Sequence, residues 1–190
     1  MTLVKRVIEQ VVKHRWLILI AALSFAVRMY WVTKVHPPKD FIYSDMLGYL
    51  GRGERVATLG LWDQPRPDEI LFPIGTHLLM GGFIEIFGRD LDLMGRFWAL
   101  LSTPIPVLAY LIVGRLYGGA DWNEEDEEDG EDGDEQSGLA RSGEPSVSER
   151  RSMARTAARV AGLFMVVYYP LLSYTGYFLS EIPFTLALTL

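Results

Sequence analysis

Three long apolar runs constrain the fold of this chain more than any other feature of its sequence. Residues 97–114 and 160–180 contain no charged side chain, and residues 16–35 contain only Arg28 and Lys34. A membrane-spanning helix needs about 20 mainly apolar residues, because the hydrocarbon core of a bilayer is about 30 Å thick. The runs therefore predict three spanning helices, with Arg28 and Lys34 reaching from one end of the first helix to the headgroup layer.

The rest of the composition excludes several other classes of protein. The chain has 190 residues and no cysteine, so a disulfide scaffold and a cysteine-based zinc site are excluded, and its many apolar side chains exclude a wholly disordered chain. It contains no metal-ligand spacing, phosphate-binding glycine loop or dinucleotide fingerprint. We therefore expect no metal, no cofactor and no nucleic-acid partner.

The acidic residues are concentrated in one insert. Residues 121–150 contain 13 acidic and 2 basic side chains, whereas the rest of the chain carries 16 basic and 11 acidic ones, a net charge of +5. The run at 124–138 repels itself and cannot bury apolar area, which predicts a disordered, solvated loop. A specific binding tail is the alternative.

The basic residues predict how the chain is oriented in a plasma or inner membrane. Four of them precede the first apolar run, which places the N-terminus in the cytoplasm. The predicted order is a basic amphipathic lead-in at 1–15, spanning helices at 16–35, 96–117 and 156–178, an outer loop at 36–95, a cytoplasmic loop at 118–155, and the start of a fourth spanning helix at 179–190.

The sequence ends within a further apolar run, residues 182–190. This ending predicts the N-terminal fragment of a longer polytopic protein, inactive on its own. A short C-terminal helix is the alternative.

The outer loop is too long for a simple turn and contains two further helical patterns. The prolines at 37 and 38 end the first helix, and a short helix is predicted to begin with Ser44 or Asp45 as its N-cap. Residues 76–87 predict a second surface helix or a re-entrant one, because they are too few to span a bilayer. The expected fold is all-α: a polytopic transmembrane helical bundle with two juxtamembrane helices in its first outer loop.

Two carboxylates are candidates for chemistry from their position alone. Asp45 follows the first span by about ten residues, at the start of a surface helix. Glu181 is the only acidic residue in the apolar stretch 160–190, where an ionisable group indicates function. The predicted topology places both on the outer side. The alternatives are a helix N-cap for Asp45 and an interfacial residue before Pro183 for Glu181.

Several short motifs occur in an order that resembles a known family, the GT-C superfamily of integral-membrane glycosyltransferases. These enzymes take a sugar from a polyprenyl-phosphate carrier. The most similar subgroup contains the protein O-mannosyltransferases and the lipid A aminoarabinose transferase. The resemblance covers nearly everything outside residues 121–150. Its motifs are Tyr43-Ser44-Asp45 with Gly48-Tyr49, Phe72-Pro73-Ile74-Gly75-Thr76-His77, Phe87-Gly88, Arg96, and Ser180-Glu181-Ile182-Pro183-Phe184.

The resemblance implies a function and roles for the two carboxylates. The chain would transfer a sugar from a polyprenyl-phosphate donor, with inversion, to a protein, lipid or glycan acceptor at the outer face of the membrane. The family's acidic residue after the first span corresponds to Asp45, which would be the base or would orient the acceptor, and Glu181 would be a supporting acid. The family's HPPLGK-like turn is only partly kept at residues 72–77, since its second proline and its lysine are absent. This departure favours a looser relative.

Glycosyl transfer also needs groups that hold the donor. The leaving phosphate requires cations, and Arg matches phosphate geometry, so Arg52, Arg55 and Arg96 are candidates. His77 and Tyr49 are candidates for contact with donor or acceptor. The alternative for each arginine is an ordinary interfacial residue, for His77 a structural one, and for Tyr49 a place in the aromatic belt.

Two readings from other classes remain open. One is a fragment of a transporter or lipid-carrier flippase, in which Glu181 lines the translocation path. The other is a non-catalytic membrane subunit. The long outer loop favours the enzyme, because a transporter seldom needs such a loop directly after its first span.

Overall fold

The computed structural model describes residues 14–60, 74–120, 122, 146–178 and 180–189. Every regular element in these ranges is a helix, which confirms the all-α prediction. The helices are α1 Arg15–Tyr30, α2 Asp45–Leu59, α3 Ile74–Phe87, α4 Leu91–Ser102, α5 Pro104–Gly118, α6 Val147–Val167, α7 Tyr169–Gly176 and α8 Glu181–Thr189. Most of the predicted lead-in and the acidic run at 124–138 lie outside the described residues.

Two or three helical stretches have the length and apolarity to cross a membrane. Arg15–Asp40 covers 26 residues, because α1 continues through a π-helical turn, Trp31–Val35, and a short 3-10 turn, Pro38–Asp40. Leu91–Gly118 covers 28 residues. The pair Val147–Val167 and Tyr169–Gly176, bent by 40°, adds a third crossing if it forms one broken span. These findings are consistent with a membrane protein.

The second and third stretches are each broken by proline. Helix α4 stops at Ser102, and Pro104 begins α5, because neither Pro104 nor Pro106 has a backbone N–H for the helical ladder. Likewise α6 ends at Val167, and Pro170 lies in the first turn of α7. Leu91–Gly118 still has the length and apolarity of one span, whereas the stretch predicted as a single span at 156–178 is divided between α6 and α7.

These broken stretches also start earlier than the predicted spans, because side chains cap their first turns. The carboxylate of Asp90 accepts from the backbone N–H of Leu93 at 3.0 Å, and α4 starts next to it. Ser146 and Glu149 form a reciprocal capping box that starts α6. Part of the stretch predicted as cytoplasmic loop is therefore helical.

The helix pair α5 and α6 packs through small residues. Ala154, Ala158 and Gly162 recur every four residues along the buried face of α6. This spacing lets two helix backbones approach, as it does in membrane proteins. On α5, Gly114 and Gly118 leave a notch that is filled by the indole of Trp122.

The three long stretches alternate in direction, which gives the assembly two distinct ends. At one end Arg159 of α6 lies over the ring of Trp16 in α1, 4.8 Å from its centroid. At the other end His36 contacts Gly176, the last residue of α7, and Pro38 contacts Gly95 near the start of α4. We call this second end the site end.

The helices α2 and α3 form a hairpin at the site end, where the sequence predicted two outer helices. Gly53 lies against Met80, and Gly81 lies against Val56, so the two backbones are close. The buried faces of the hairpin pack on α4 and on the start of α8. The shared core contains Met46, Tyr49, Leu50, Met80, Phe83, Met94, Trp98, Phe178 and Ile182.

Two polar side chains of α1 connect the broken helices. Ser24 Oγ donates to the carbonyl of Thr103 at the α4–α5 break, at 2.9 Å. Arg28 donates to Ser24 Oγ at 2.9 Å, and to the carbonyls of Val166 and Met165 at the end of α6, at 3.3 and 3.4 Å. Arg28 is fully buried, so the expectation that it reaches the headgroup layer was wrong. The carbonyls of Met165 and Val166, at the end of α6, accept from its guanidinium and keep it inside.

The contact at Gly162 gives a stability prediction. A Cβ atom there would lie 2.7 Å from Ile20 Cδ1 and 3.0 Å from Tyr110 Cβ. We expect Gly162→Val to lower the free energy of unfolding by about 1–3 kcal/mol, because a packed site cannot accept the added volume. The measurement is unfolding of the detergent-solubilised chain. The control is Gly82→Ala, at a helical glycine with open space around it, which should not be destabilising. Equal behaviour of the two variants would contradict this packing.

Candidate functional site

One face of α2 holds several of the predicted site residues. Asp45, Tyr49 and Arg52 are spaced by four and three residues, so they are neighbours along the same side of the helix. Asp45 is exposed and makes no hydrogen bond or ion pair with any described residue. Ser44 is the N-cap, but its side chain makes no capping bond. The carboxylate of Asp45 is therefore not used to cap α2.

Tyr49 joins three separate parts of the chain at this face. Its side chain is buried, and its hydroxyl donates to Ser180 Oγ at 3.0 Å. Its ring centroid lies 5.2 Å from that of His77, a buried side chain of α3. The phenol thus connects α2 to the hairpin partner α3 and to the residue that precedes α8.

Asp45 lies one turn before Tyr49 on α2, and Ser180, which accepts from Tyr49, is next to Glu181, so both carboxylates lie near the Tyr49 phenol. Burial raises the pKa of the Tyr49 phenol above its usual value, and the negative charges of Glu181 and Asp45 raise it further, against the opposite effect of the Ser180 hydrogen bond. Two carboxylates more than 130 positions apart in the sequence therefore act on one side chain. The phenol remains protonated at neutral pH and can donate.

Glu181 has an available acceptor atom inside this cluster. It is the first residue of α8, where the helix dipole favours a negative charge. Its side chain is half-buried, and Oε2 is buried without a hydrogen-bond partner among the described residues. A buried carboxylate oxygen without a donor is unfavourable, so this atom is suited to accept a bond from a ligand.

The backbone is strained on both sides of the cluster. Ser44 and Phe178 are the two non-glycine residues with positive φ in the described ranges, at 51° and 52°. Ser44 directly precedes Asp45, and Phe178 precedes Ser180 by two positions. Left-handed backbone at ordinary residues costs free energy and is enriched at functional sites.

The predicted cations lie in different surroundings. Arg52 is buried on α2, and Arg55 is half-buried one turn later. Arg96 is exposed on α4 and forms no hydrogen bond or ion pair within the described part of the chain. The structure therefore places Arg52 on the same helix face as Asp45, while Arg96 contacts neither carboxylate.

Two contributors to the site were missed in the sequence. Ser180 was part of a motif but had no predicted role, and Tyr177 was not considered. The Tyr177 hydroxyl lies 3.0 Å from the Tyr43 hydroxyl, two residues before Asp45. One feature of the sequence could have indicated a role for Ser180, because this polar residue adjoins Glu181 at the end of an apolar run.

Comparisons with known proteins do not identify this arrangement. Protein-family models, curated proteins and solved structures were each compared with the chain, and no match was found. Within the described residues, no three His, Cys, Asp or Glu side chains are grouped so that they could hold a metal ion. What the geometry itself provides is an exposed carboxylate, a half-buried one and a protonated phenol close together.

The tyrosine pair predicts an alkaline transition. The hydrogen bond between Tyr177 and Tyr43, together with burial, raises the pKa of the Tyr177 phenol to about 12. An unfolded tyrosine titrates at about 10. Between these pH values the unfolded chain has lost a proton that the folded chain retains, so the stability from this group is full below pH 10 and is lost as the pH rises through 12.

We expect Tyr43→Phe to shift the tyrosinate absorbance step of Tyr177 to lower pH, because the variant removes the hydrogen bond. Tyr177→Phe identifies that step. Tyr117→Phe, at an exposed tyrosine on α5, is the control and should leave it in place. An unchanged step in Tyr43→Phe would show that the two hydroxyls are not paired.

The strain at Ser44 predicts an unusual order of variants. We expect Ser44→Gly to raise the free energy of unfolding by about 1 kcal/mol, because glycine adopts positive φ freely and no capping bond is lost. Ser146→Gly should be less stable than the natural chain, because it breaks the capping box. Urea titration of both variants in detergent tests this. A loss of stability in Ser44→Gly would contradict the strained conformation.

Proposed function

We propose that the chain is part of an integral-membrane glycosyltransferase of the GT-C type. In this proposal the helices form a polytopic bundle in the cell membrane, with the N-terminus in the cytoplasm and the α2–α3 hairpin as two juxtamembrane helices. The enzyme moves a sugar from a polyprenyl-phosphate donor to a protein, lipid or glycan acceptor at the outer face. The observation that supports the proposal is that Tyr49, one turn after Asp45 on α2, donates to Ser180, the residue before Glu181.

The exposure of Asp45 suits it to meet an acceptor. An acceptor hydroxyl must lose its proton as it attacks the sugar, and a carboxylate within hydrogen-bond reach takes that proton. Asp45 is exposed and is not bonded to any described side chain, so its carboxylate oxygens are available to the hydroxyl group that receives the sugar. It is the base in this proposal.

Glu181 and Tyr49 support the transfer from the buried side. Glu181 Oε2 is available to accept a bond from a sugar hydroxyl, and the protonated Tyr49 holds Ser180 beside it. Sugars present hydroxyl groups that donate hydrogen bonds. A carboxylate that accepts such a bond therefore orients the bound sugar. Glu181 is therefore a supporting group, while Asp45 takes the proton.

The hairpin provides a place where a lipid-linked donor can lie. Apolar side chains remain exposed on α2 and α3, and in a bilayer they would contact the acyl chains. Arg52 and Arg55 follow Asp45 on α2, where a guanidinium can meet the phosphate of the donor. The exposed apolar residues are Leu47, Leu59, Leu78, Ile86 and Phe87.

The first test of this proposal is Asp45→Asn. The full protein in membranes would be given a polyprenyl-phosphate sugar with an acceptor. We expect the variant to lose transfer by about 100-fold or more, because the base is gone, with little change in donor binding. Asp40→Asn, at another exposed aspartate of the same end, should retain activity. Full activity of Asp45→Asn would refute the assignment of the base.

Glu181→Gln separates the two carboxylates. The amide keeps the size of the side chain but removes its charge, so we expect a smaller loss of about 10-fold, expressed mainly in KM. Glu85→Gln, at an exposed glutamate of α3, is the matched control. If Glu181→Gln abolished transfer while Asp45→Asn did not, the two roles would have to be exchanged.

A further inference from the structure

A buried cation lies within the first span, and its contacts have a specific pattern. Arg28 is fully buried in α1, and each hydrogen bond that it makes with the described residues is donated to an oxygen. Nη1 donates to Ser24 Oγ at 2.9 Å and to the Val166 carbonyl at 3.3 Å, and Nη2 donates to the Met165 carbonyl at 3.4 Å. Charged residues inside membrane spans are expensive and usually functional, so these contacts require an explanation.

The carbonyl of Val166 needs a donor because of Pro170. In an uninterrupted helix that carbonyl would accept from the backbone N–H four residues later, which is position 170, and proline has none. A membrane interior offers no water to replace this bond. The guanidinium supplies the missing donor, and its positive charge also suits the negative end of the α6 dipole.

The same pair of side chains acts at the other break. Ser24 accepts from Arg28 and donates to the carbonyl of Thr103, between α4 and α5. One network therefore reaches the breaks in both of the other long stretches. Arg28 has no exposed surface, which argues against direct contact with a donor or an acceptor.

The bend that Arg28 caps sets the direction of the segment leading to the candidate site. After the 40° bend, α7 is fixed by a bond from Thr175 Oγ1 to Ser102 Oγ at 3.3 Å and by the contact of Gly176 with His36. The chain then passes through Phe178 to Ser180, which accepts from Tyr49.

We propose that Arg28 is a positioning residue for this site. By capping the end of α6 it stabilises the bent arrangement, which delivers Ser180 and Glu181 to Tyr49. Its importance for sugar transfer rests on the proposed function, whereas its effect on geometry does not.

The test uses chemical cross-linking in membranes, because the natural chain contains no cysteine. Tyr43→Cys and Tyr177→Cys are introduced together, at two accessible side chains whose hydroxyls lie 3.0 Å apart, and the yield with a short bismaleimide reports the proximity of the segment before α2 to the end of α7. We expect Arg28→Met to lower this yield at least fivefold. Arg28→Lys, which retains charge and donors, should keep at least half of it. Lys34→Met, at an exposed lysine of the same span, is the control and should leave it unchanged.

A second variant distinguishes capping from any other role. Pro170→Ala gives position 170 an N–H that can donate to Val166, so it should recover at least half of the Tm that Arg28→Met loses. If Arg28→Met does not accumulate in membranes, recovery of accumulation by Pro170→Ala supports the proposal. An unchanged cross-link yield in Arg28→Met would overturn it, as would the absence of any recovery by Pro170→Ala. Neither readout needs activity, so a failure of the Asp45→Asn experiment would leave this result standing.

Discussion

The described structure depends on how backbone groups are satisfied where the long helices break. A helix that crosses a bilayer must pair its own carbonyls, because lipid provides no donors. Pro170 removes the N–H that would pair with the Val166 carbonyl, and Arg28 donates to that carbonyl instead, while Ser24 donates to the Thr103 carbonyl between α4 and α5. The helix α1 therefore carries donors for backbone carbonyls where α4 meets α5 and where α6 bends into α7.

The bends and the candidate site belong to one arrangement. A straight third stretch would continue along its axis, whereas the bent one turns α7 under His36 and brings Ser180 against Tyr49. The hairpin of α2 and α3 closes over this point through the paired glycines Gly53 and Gly81. Phe178, one of the two residues with positive φ, is held by the shared core around Trp98.

The sequence predicted the helices well because long apolar runs and prolines act locally. The all-α class, the runs that can span and the two helices of the first loop follow from composition and spacing alone. The bond from Tyr49 to Ser180 and the burial of Arg28 did not follow, since both depend on contacts between residues far apart in the chain. Pro170 was visible as a helix breaker. The sequence does not show which distant side chain would donate to the Val166 carbonyl that Pro170 leaves unpaired.

The end opposite the site has a consequence for engineering. Trp122 is fixed in the notch of Gly114 and Gly118, and the capping box at Ser146 starts α6 independently. The helix pair α5–α6 is thus closed by its own residues on each side of the intervening chain. A fluorescent reporter or affinity module inserted between Trp122 and Ser146 would leave these contacts of α5 and α6 in place, at the end opposite the candidate site.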